Sequence, residues 1–426
     1  MRILWLSNTP CGVVNRHRQY TFAGGWMISL EEEIKKKTNI DLHVIYISDI
    51  EEPPFYYEGT YYYPIYSGRG KSKISKFLFQ YRRNDRYDER LVLNHVLKIV
   101  KQINPDIIHI HGTEAAWGVV AKEIDDIPVV FSIQGLIAPY SEKYFSGIPQ
   151  ADAFKLDTVY DFLMNIGVRK QWKSFLYRAK REEEYLSIAK YIFGRTFWDR
   201  DCTLALNPHR KYYVVNEILR SPFYKKKWKG FISTDTIKII STISGGIYKG
   251  METVLKCARL LNSYGDIRFE WHIAGYDINS KWVKMAECIT NVKAKDANIL
   301  FHGRVNADIL SDLLVESDIY VHVSHIENSP NSVCEAMLVG MPVIASYAGG
   351  TSSLLEHEKE GVLYQDGDPY VLAGAILEMV QHTDKAYSYA AAACDRATHR
   401  HCKESISDEL CNGYYNIIED YRNGKC

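Results

Sequence analysis

Two carboxylates eight positions apart, Glu327 and Glu335, stand in the run HIENSPNSVCEAMLVGMPVIASYAGG, residues 325–350. A polar, proline-containing stretch separates them, and an apolar helix pattern follows. An ionised glutamate accepts two hydrogen bonds side by side, which suits the vicinal hydroxyls of a sugar or a ribose. The strand IYVHVS is expected to end near Ser324 and the next helix to start near Ser332, with Ser329 or Asn331 as alternative caps. Glu327 then lies in the strand-to-helix loop and Glu335 in the first helical turn, and the N–H groups of Asn331, Ser332 and Val333 are open to a phosphate. The run offers anion binding beside sugar-hydroxyl binding.

A cation of matching use appears in ISGGIYKGMETVL, residues 243–255. Gly245 and Gly246 leave a strand and Lys249-Gly250 opens a helix, so the ammonium can reach a diphosphate. This is not a Walker motif, since no GKS or GKT is present. In IIHIHG, His109 and His111 alternate onto one face of their strand, with His111 nearest the carboxyl end. A further glycine pair, Gly24-Gly25, precedes a helix in the N-terminal part, where backbone without Cβ atoms can approach a ligand closely.

Strand-length apolar runs alternate with helical patterns on both sides of these residues. RILWLS, DLHVIYIS, DIIHIHG, PVVFSIQG, YIFGRT and YYVVNE come first, and their near-continuous apolar character suits parallel strands covered on both faces. A break rich in Pro, Gly and charge covers residues 207–236. A second series then begins with TIKIISTIS and METVLKCARLLNS, whose Val254, Leu255, Ala258 and Leu261 share one helix face. The expected class is α/β, with two Rossmann-like doubly wound parallel-sheet domains at 1–215 and 216–382, and a helical tail at 383–426 packing back towards the first. In such open sheets ligands bind beyond the carboxyl ends of the strands, where the residues above fall.

The totals narrow the function classes. The 426 residues carry 52 Lys plus Arg against 52 Asp plus Glu, so no net field selects nucleic acid or an acidic polymer. Nine cysteines without a paired CxxC fit reduced thiols and a cytoplasmic location better than a disulfide framework. MRILWLSNTP reads as a first strand rather than a signal peptide, and no apolar run is long enough to span a bilayer. CDRATHRHC fits no closed zinc site, and no G-x-G-x-x-G follows the first strand to suggest a nicotinamide cofactor. Two basic segments, VRKQWKSFLYRAKR with Val168, Trp172, Phe175 and Leu176 on one face, and YKKKWKG, have the composition of peripheral contacts with an anionic membrane or of ordinary solvated surface.

Taken together, ENSPNSVCE between its two strands and followed by AMLVGMPVIASYAGG resembles the E-x7-E motif of the retaining glycosyltransferases of family 4, which have the GT-B architecture of two domains facing across a cleft. The resemblance covers nearly the whole chain and is densest over residues 236–380. It implies that Glu335 holds the nucleotide ribose, that Glu327 lies by the transferred sugar, and that the backbone of Asn328, Ser329 and Asn331 contacts sugar hydroxyls and phosphate. Lys249 would stabilise the diphosphate leaving group, and Gly24, Gly25 and His111 would come from the acceptor side. Family members carry an arginine five residues before the lysine, where this chain has Ser244; Arg195 or Arg304 are the candidates to replace it. Gln134 stands where many members have a histidine, and an amide orients a hydroxyl but is no base. The implied activity is transfer of a hexose-type unit from a nucleotide sugar, of UDP type, to a hydroxyl of a glycan or lipid-linked glycan in surface-polysaccharide assembly, with no metal or other cofactor. Two other readings remain: a nucleotide-sugar-binding module without turnover, suggested by Ser244 and Gln134, and a GT-B nucleotide-sugar epimerase.

Overall fold

The computed structural model describes residues 1–15, 25–68, 85–164, 166–231, 235–265 and 267–424. Gly24 lies outside them. The chain divides into two compact units: residues 1–141, 157–218 and 402–426 form one, and residues 142–156 and 219–401 form the other. The segment expected as a single tail is therefore shared. The helix Thr383–Arg400 packs Ala386, Tyr389, Ala393 and Ala397 into the second unit, whereas Lys403–Asn423 packs Ile406, Leu410, Tyr414 and Ile417 into the first. Each helix carries its own apolar stripe; His401 ends the first and Cys402 stands at the N-cap of the second.

The first unit contains an eight-stranded sheet. Its strands are β1 (Arg2–Ser7), β2 (Asp41–Ser48), β3 (Phe55–Tyr57), β4 (Thr60–Tyr66), β5 (Ile107–His111), β6 (Val129–Ser132), β7 (Tyr191–Gly194) and β8 (Lys211–Val214). They run in the order β3-β4-β2-β1-β5-β6-β7-β8, all parallel except the β3–β4 pair. That hairpin is an addition to the expected strands. Its turn residues Glu58 and Gly59 both take positive φ (45° and 90°), the turn that matches strand twist, and tyrosines alternate between solvent (Tyr61) and core (Tyr62).

In the second unit β9 (Ile237–Thr242), β10 (Phe269–Ala274), β11 (Ile299–Gly303), β12 (Ile319–His322), β13 (Val343–Tyr347) and β14 (Val362–Gln365) form an all-parallel sheet ordered β11-β10-β9-β12-β13-β14. Apart from the β3–β4 hairpin, each sheet reverses its strand order once, between β1 and β5 in the first and between β9 and β12 in the second. Neighbouring strands at such a point send their following loops in opposite directions, which opens a crevice at their carboxyl ends. In the second sheet, Trp271 is wholly buried, its indole donating to Ser241 Oγ (3.0 Å), and that hydroxyl donates to Val321 O (2.6 Å) across the reversal.

Two basic segments use part of their apolar surface inside the fold and keep cations exposed. On the helix Val168–Ile188, Val168 and Phe175 are buried, so most of its apolar stripe serves the core of the first unit and only Leu176 is exposed. In YKKKWKG, Lys226 and Lys229 pair with Asp312 and Glu316, and Trp228 donates to Ser317 O at 2.8 Å. That basic run is a clasp on the second unit's own helices.

Glu31, fully buried on the helix Gly25–Ile34, accepts from Gly12 N (2.7 Å), Thr60 Oγ1 (2.8 Å) and Tyr62 Oη (2.5 Å). It joins that helix to the loop after β1 and to β4. Glu31→Ala leaves three buried donors unpaired and should cost about 3 kcal/mol of unfolding free energy. Glu31→Gln, which keeps an acceptor oxygen, should cost less than half as much by chemical denaturation.

Candidate functional site

The loops that leave β9 and β12 at the second reversal carry Lys249 and Glu327. After β9 the chain passes Ser244, Gly245 and Gly246 into a short turn of 3-10 helix, Ile247–Lys249, and Gly250 begins the helix Met251–Tyr264. Gly250 takes φ +78°, and a Cβ there would lie 1.9 Å from the carbonyl oxygen of Val323, so only glycine lets this turn approach the end of β12. Lys249 forms an ion pair with Glu327 Oε1, and Ser324 Oγ donates to the same oxygen at 3.3 Å. Burial disfavours the ammonium, but Glu327 beside it outweighs that and holds the lysine above its usual pKa.

The carbonyl of Glu327 is gripped from β13's following turn. Gly350 N donates to it at 2.8 Å, and Gly349, at φ +55°, passes so close that a Cβ would lie 2.1 Å from that oxygen. The Gly-Gly that ends the sequence run thus fixes the glutamate at its start.

His325, two residues before Glu327, ties this loop to the turn that carries Lys249. Its backbone N–H donates to Tyr248 O (2.9 Å), and its buried ring contacts Asp366 Oδ1 through Nδ1 and Glu252 Oε1 through Nε2, both at 2.7 Å. Burial opposes the charged ring, yet the hydrogen bonds and charges of Asp366 and Glu252 prevail and raise its pKa to about 9. His322, at the end of β12, meets burial without such partners and is lowered to about 4. One histidine of this loop is a cation at neutral pH and the other is not.

The helix after the loop spans Asn331–Val339 and is capped by Pro330, with no side-chain cap. β12 ends at His322 and the helix begins one residue before the expected start, so Glu335 lies in the second turn rather than the first. Val333 N is not open: it donates to Pro330 O at 2.9 Å. Among the described residues, the N–H groups of Asn331 and Ser332 have no partner, as expected at an uncapped helix start. Asn328 is fully buried and Ser329 nearly so, immediately before this N-terminus. Glu335 is buried and forms a bidentate pair with Arg220, Nε–Oε1 2.7 Å and Nη2–Oε2 2.6 Å.

The remaining candidates separate by unit. In the second, Ser244 and Arg304 are exposed, after β9 and β11 respectively. In the first, His111 ends β5 at the reversal, opposite Ser7 of β1. Its ring is wholly buried between Trp5 (centroids 4.7 Å) and Trp26 (6.1 Å), and neither ring nitrogen has a hydrogen-bond partner among the described residues. Burial, with neighbouring His109 and Arg195, holds it well below its usual pKa. His109 is accounted for by the core: its nitrogens meet Tyr414 Oη and Ser132 Oγ, both at 2.6 Å. Arg195 lies over the Trp26 ring at 4.5 Å and pairs with the buried Glu217 at 3.5 Å. Gly25 opens the helix that carries Trp26, and Gln134 is half-buried after β6. His111, Arg195 and the Gly25-Trp26 corner therefore gather around one indole.

Sequence reading missed Arg220, Glu252, His325 and Asp366. His325 adjoins Glu327 and could have been flagged, but nothing local links Arg220 to a glutamate 115 positions on.

Residues 223–395 match the family described as "Glycosyl transferases group 1". The amylovoran biosynthesis glycosyltransferase AmsK of Erwinia amylovora is 30% identical over 151 residues, 34% of this chain and 36% of that protein. The N-acetyl-alpha-D-glucosaminyl L-malate synthase of Bacillus anthracis is 25% identical over 33% of this chain and 36% of its own length, so these matches span about a third of each relative. Among solved structures, sucrose-phosphate synthase from Thermosynechococcus elongatus superposes with a TM-score of 0.71 at 14% identity, covering 99% of this chain and 100% of that one. Anabaena HepE, solved in complex with UDP-glucose, gives 0.62 at 17% identity, covering 98% and 100%.

His325 generates a pH dependence. Its folded-state pKa of about 9 exceeds the unfolded value, so its contribution is complete below about pH 6.5 and is lost as pH rises through 9. The contribution is on the order of 3 kcal/mol. Denaturation of wild type and His325→Gln at pH 6 and pH 9.5 should show a stability gap that narrows at the higher pH.

Proposed function

We propose, from the match of residues 223–395 to the glycosyl transferases group 1 family and from the two parallel-sheet Rossmann-like units shared with GT-B neighbours, that the chain is a retaining hexosyltransferase. Its donor is a nucleotide sugar of UDP type and its acceptor a hydroxyl of a glycan or lipid-linked glycan. The observation that carries this reading is the pairing of Lys249 with Glu327 at the second sheet's reversal, eight residues before a glutamate held by Arg220.

In this reading the ribose diol donates to the Glu335 carboxylate, and the two-point contact with Arg220 orients it. The diphosphate takes the Lys249 ammonium and the N–H groups of Asn331 and Ser332. An arriving diphosphate competes with Glu327 for the lysine, so donor binding releases Glu327 towards the sugar hydroxyls. The bond from the anomeric carbon to the phosphate oxygen breaks, and the acceptor oxygen attaches from the same face. The departing phosphate oxygen receives the acceptor's proton, while Lys249 offsets the charge that develops on it. His111, neutral and with ring nitrogens that have no partner among the described residues, is suited to hold a hydroxyl rather than to act as a cation. The roles of Gly24, Gly25, Asn328, Ser329, Gln134, Arg195 and Arg304 belong to the same proposal: backbone contacts for the first four, polar orientation for Gln134, and replacement of the missing diphosphate arginine for Arg195 or Arg304. The relatives named for polysaccharide assembly support the acceptor class, and the neighbour solved with UDP-glucose supports testing uridine donors first.

A thermal-shift panel of UDP-, GDP- and ADP-sugars should raise the Tm with the uridine series. Glu335→Ala should abolish the shift, and Lys249→Ala should reduce kcat by about a hundredfold or more, the usual scale for a lost leaving-group contact. With a competent acceptor, proton NMR of the product should show the donor's anomeric configuration kept. Wild type that shifts with no nucleotide sugar would overturn the reading, and an inverted product would overturn its stereochemistry.

A further inference from the structure

In the first unit, residues 157–164 are tied by hydrogen bonds while the apolar side chains of Val159, Tyr160, Phe162 and Leu163 face water. Asp157 accepts from the backbone of Val168 (2.5 Å) and Arg169 (3.0 Å), which closes the loop onto the N-terminus of the helix Val168–Ile188. Inside it, Thr158 and Asp161 form a reciprocal capping box on a short helix, Val159–Leu163. Ile166 N donates to Asp161 O at 3.0 Å, and Gln171 Nε2 to Ile166 O at 2.9 Å. The short helix buries nothing: Val159 is 77% exposed, Tyr160 62%, Phe162 82% and Leu163 65%. A solvated loop tip selects small and polar residues, and four large apolar ones on a tied backbone are a cost to the unit that holds them.

The surface next to this tip is basic. On the helix Val168–Ile188 the apolar stripe faces the core, and Arg169, Lys173, Leu176 and Lys180 recur at helical spacing as an exposed row. Acidic side chains on that helix lie beyond this row, at Glu182, Glu183 and Glu184, away from the end that carries the tip. Apolar side chains that insert, flanked by cations that meet a negative surface, are the two parts of peripheral attachment to an anionic bilayer, each insufficient alone.

We propose that the helix Val159–Leu163 inserts into the interfacial layer of an anionic phospholipid membrane, with Arg169, Lys173 and Lys180 contacting the headgroups. The contact differs from the one the sequence suggests, because the apolar face of the basic helix is already used by the core and the tip beside it takes its place. The attachment stands apart from the glycosyl-transfer reading, since it needs neither nucleotide sugar nor acceptor.

The test is flotation of the full chain with vesicles of phosphatidylcholine alone or with phosphatidylglycerol, at low and high salt and without any sugar nucleotide. Wild type should float with the anionic vesicles and less so at high salt. Phe162→Ser with Leu163→Ser, and separately Arg169→Glu with Lys173→Glu, should each lower the bound fraction about tenfold, in proportion to lost apolar area and lost charge. Unchanged thermal unfolding and unchanged nucleotide-sugar shifts will certify that both variants are folded. Wild type that stays unbound, or an apolar double variant that floats as wild type does, overturns the proposal. A concentration-dependent dimer that the same apolar variant abolishes, with no vesicle binding, overturns it in favour of a second copy of this chain.

Discussion

The second unit's candidate site depends on a buried cation. His325 carries charge in the interior because Asp366 and Glu252 take one ring nitrogen each, and its backbone reaches the turn that holds Lys249. An isolated charge at that depth would be strongly unfavourable, so the three groups stand or fall together. Because one loop follows β12 and the other follows β9, this ionic link sets the spacing of two segments that no regular hydrogen-bond ladder connects. Gly250 and Gly349 tighten the same assembly by allowing backbone contacts that any side chain would block.

Upon that frame each glutamate of the motif is matched by its own cation: Glu327 by Lys249, Glu335 by Arg220. The two pairs differ in a way that suits different tasks. Arg220 makes a two-point contact with a buried carboxylate, a geometry that fixes orientation. Lys249 is a single ammonium on a flexible stem, a partner that an incoming anion can take over. In the proposed function Glu335 with Arg220 would serve as a rigid acceptor for hydroxyls and Lys249 as an exchangeable cation for phosphate.

The first unit solves a different problem at its own sheet reversal. His111 and His109 share a face, with ring centroids 3.7 Å apart, and two imidazoliums at that distance in the interior would repel. Burial keeps both neutral, and the core uses one of them: His109 is lowered to about 3 and is fully hydrogen-bonded between Tyr414 and Ser132. His111 keeps its hydrogen-bonding capacity at the carboxyl end of β5. The helix that supplies Tyr414 comes from the end of the chain, so this environment is complete only when residues 403–423 have docked on the first unit.

The alternation of apolar runs and helical patterns, together with the E-x7-E run and the lysine turn, was enough to specify two parallel-sheet units and to mark Glu327, Glu335 and Lys249. Those signals are local: strand burial shows as continuous apolar residues, and a helix start shows as a polar run before an apolar period. The β3–β4 hairpin escaped because its tyrosines read as neither clean period. The helix start at Asn331 shifted because Pro330, which fixes its own φ, can precede a helix without offering a side-chain cap. Only the tertiary structure decided that Arg220 meets Glu335, that His325 is charged while His322 is neutral, and that the apolar face of the basic helix is spent on the core. Each of these is a pairing or a burial between distant positions, and partner and dielectric environment are properties of the folded chain that no local spacing encodes.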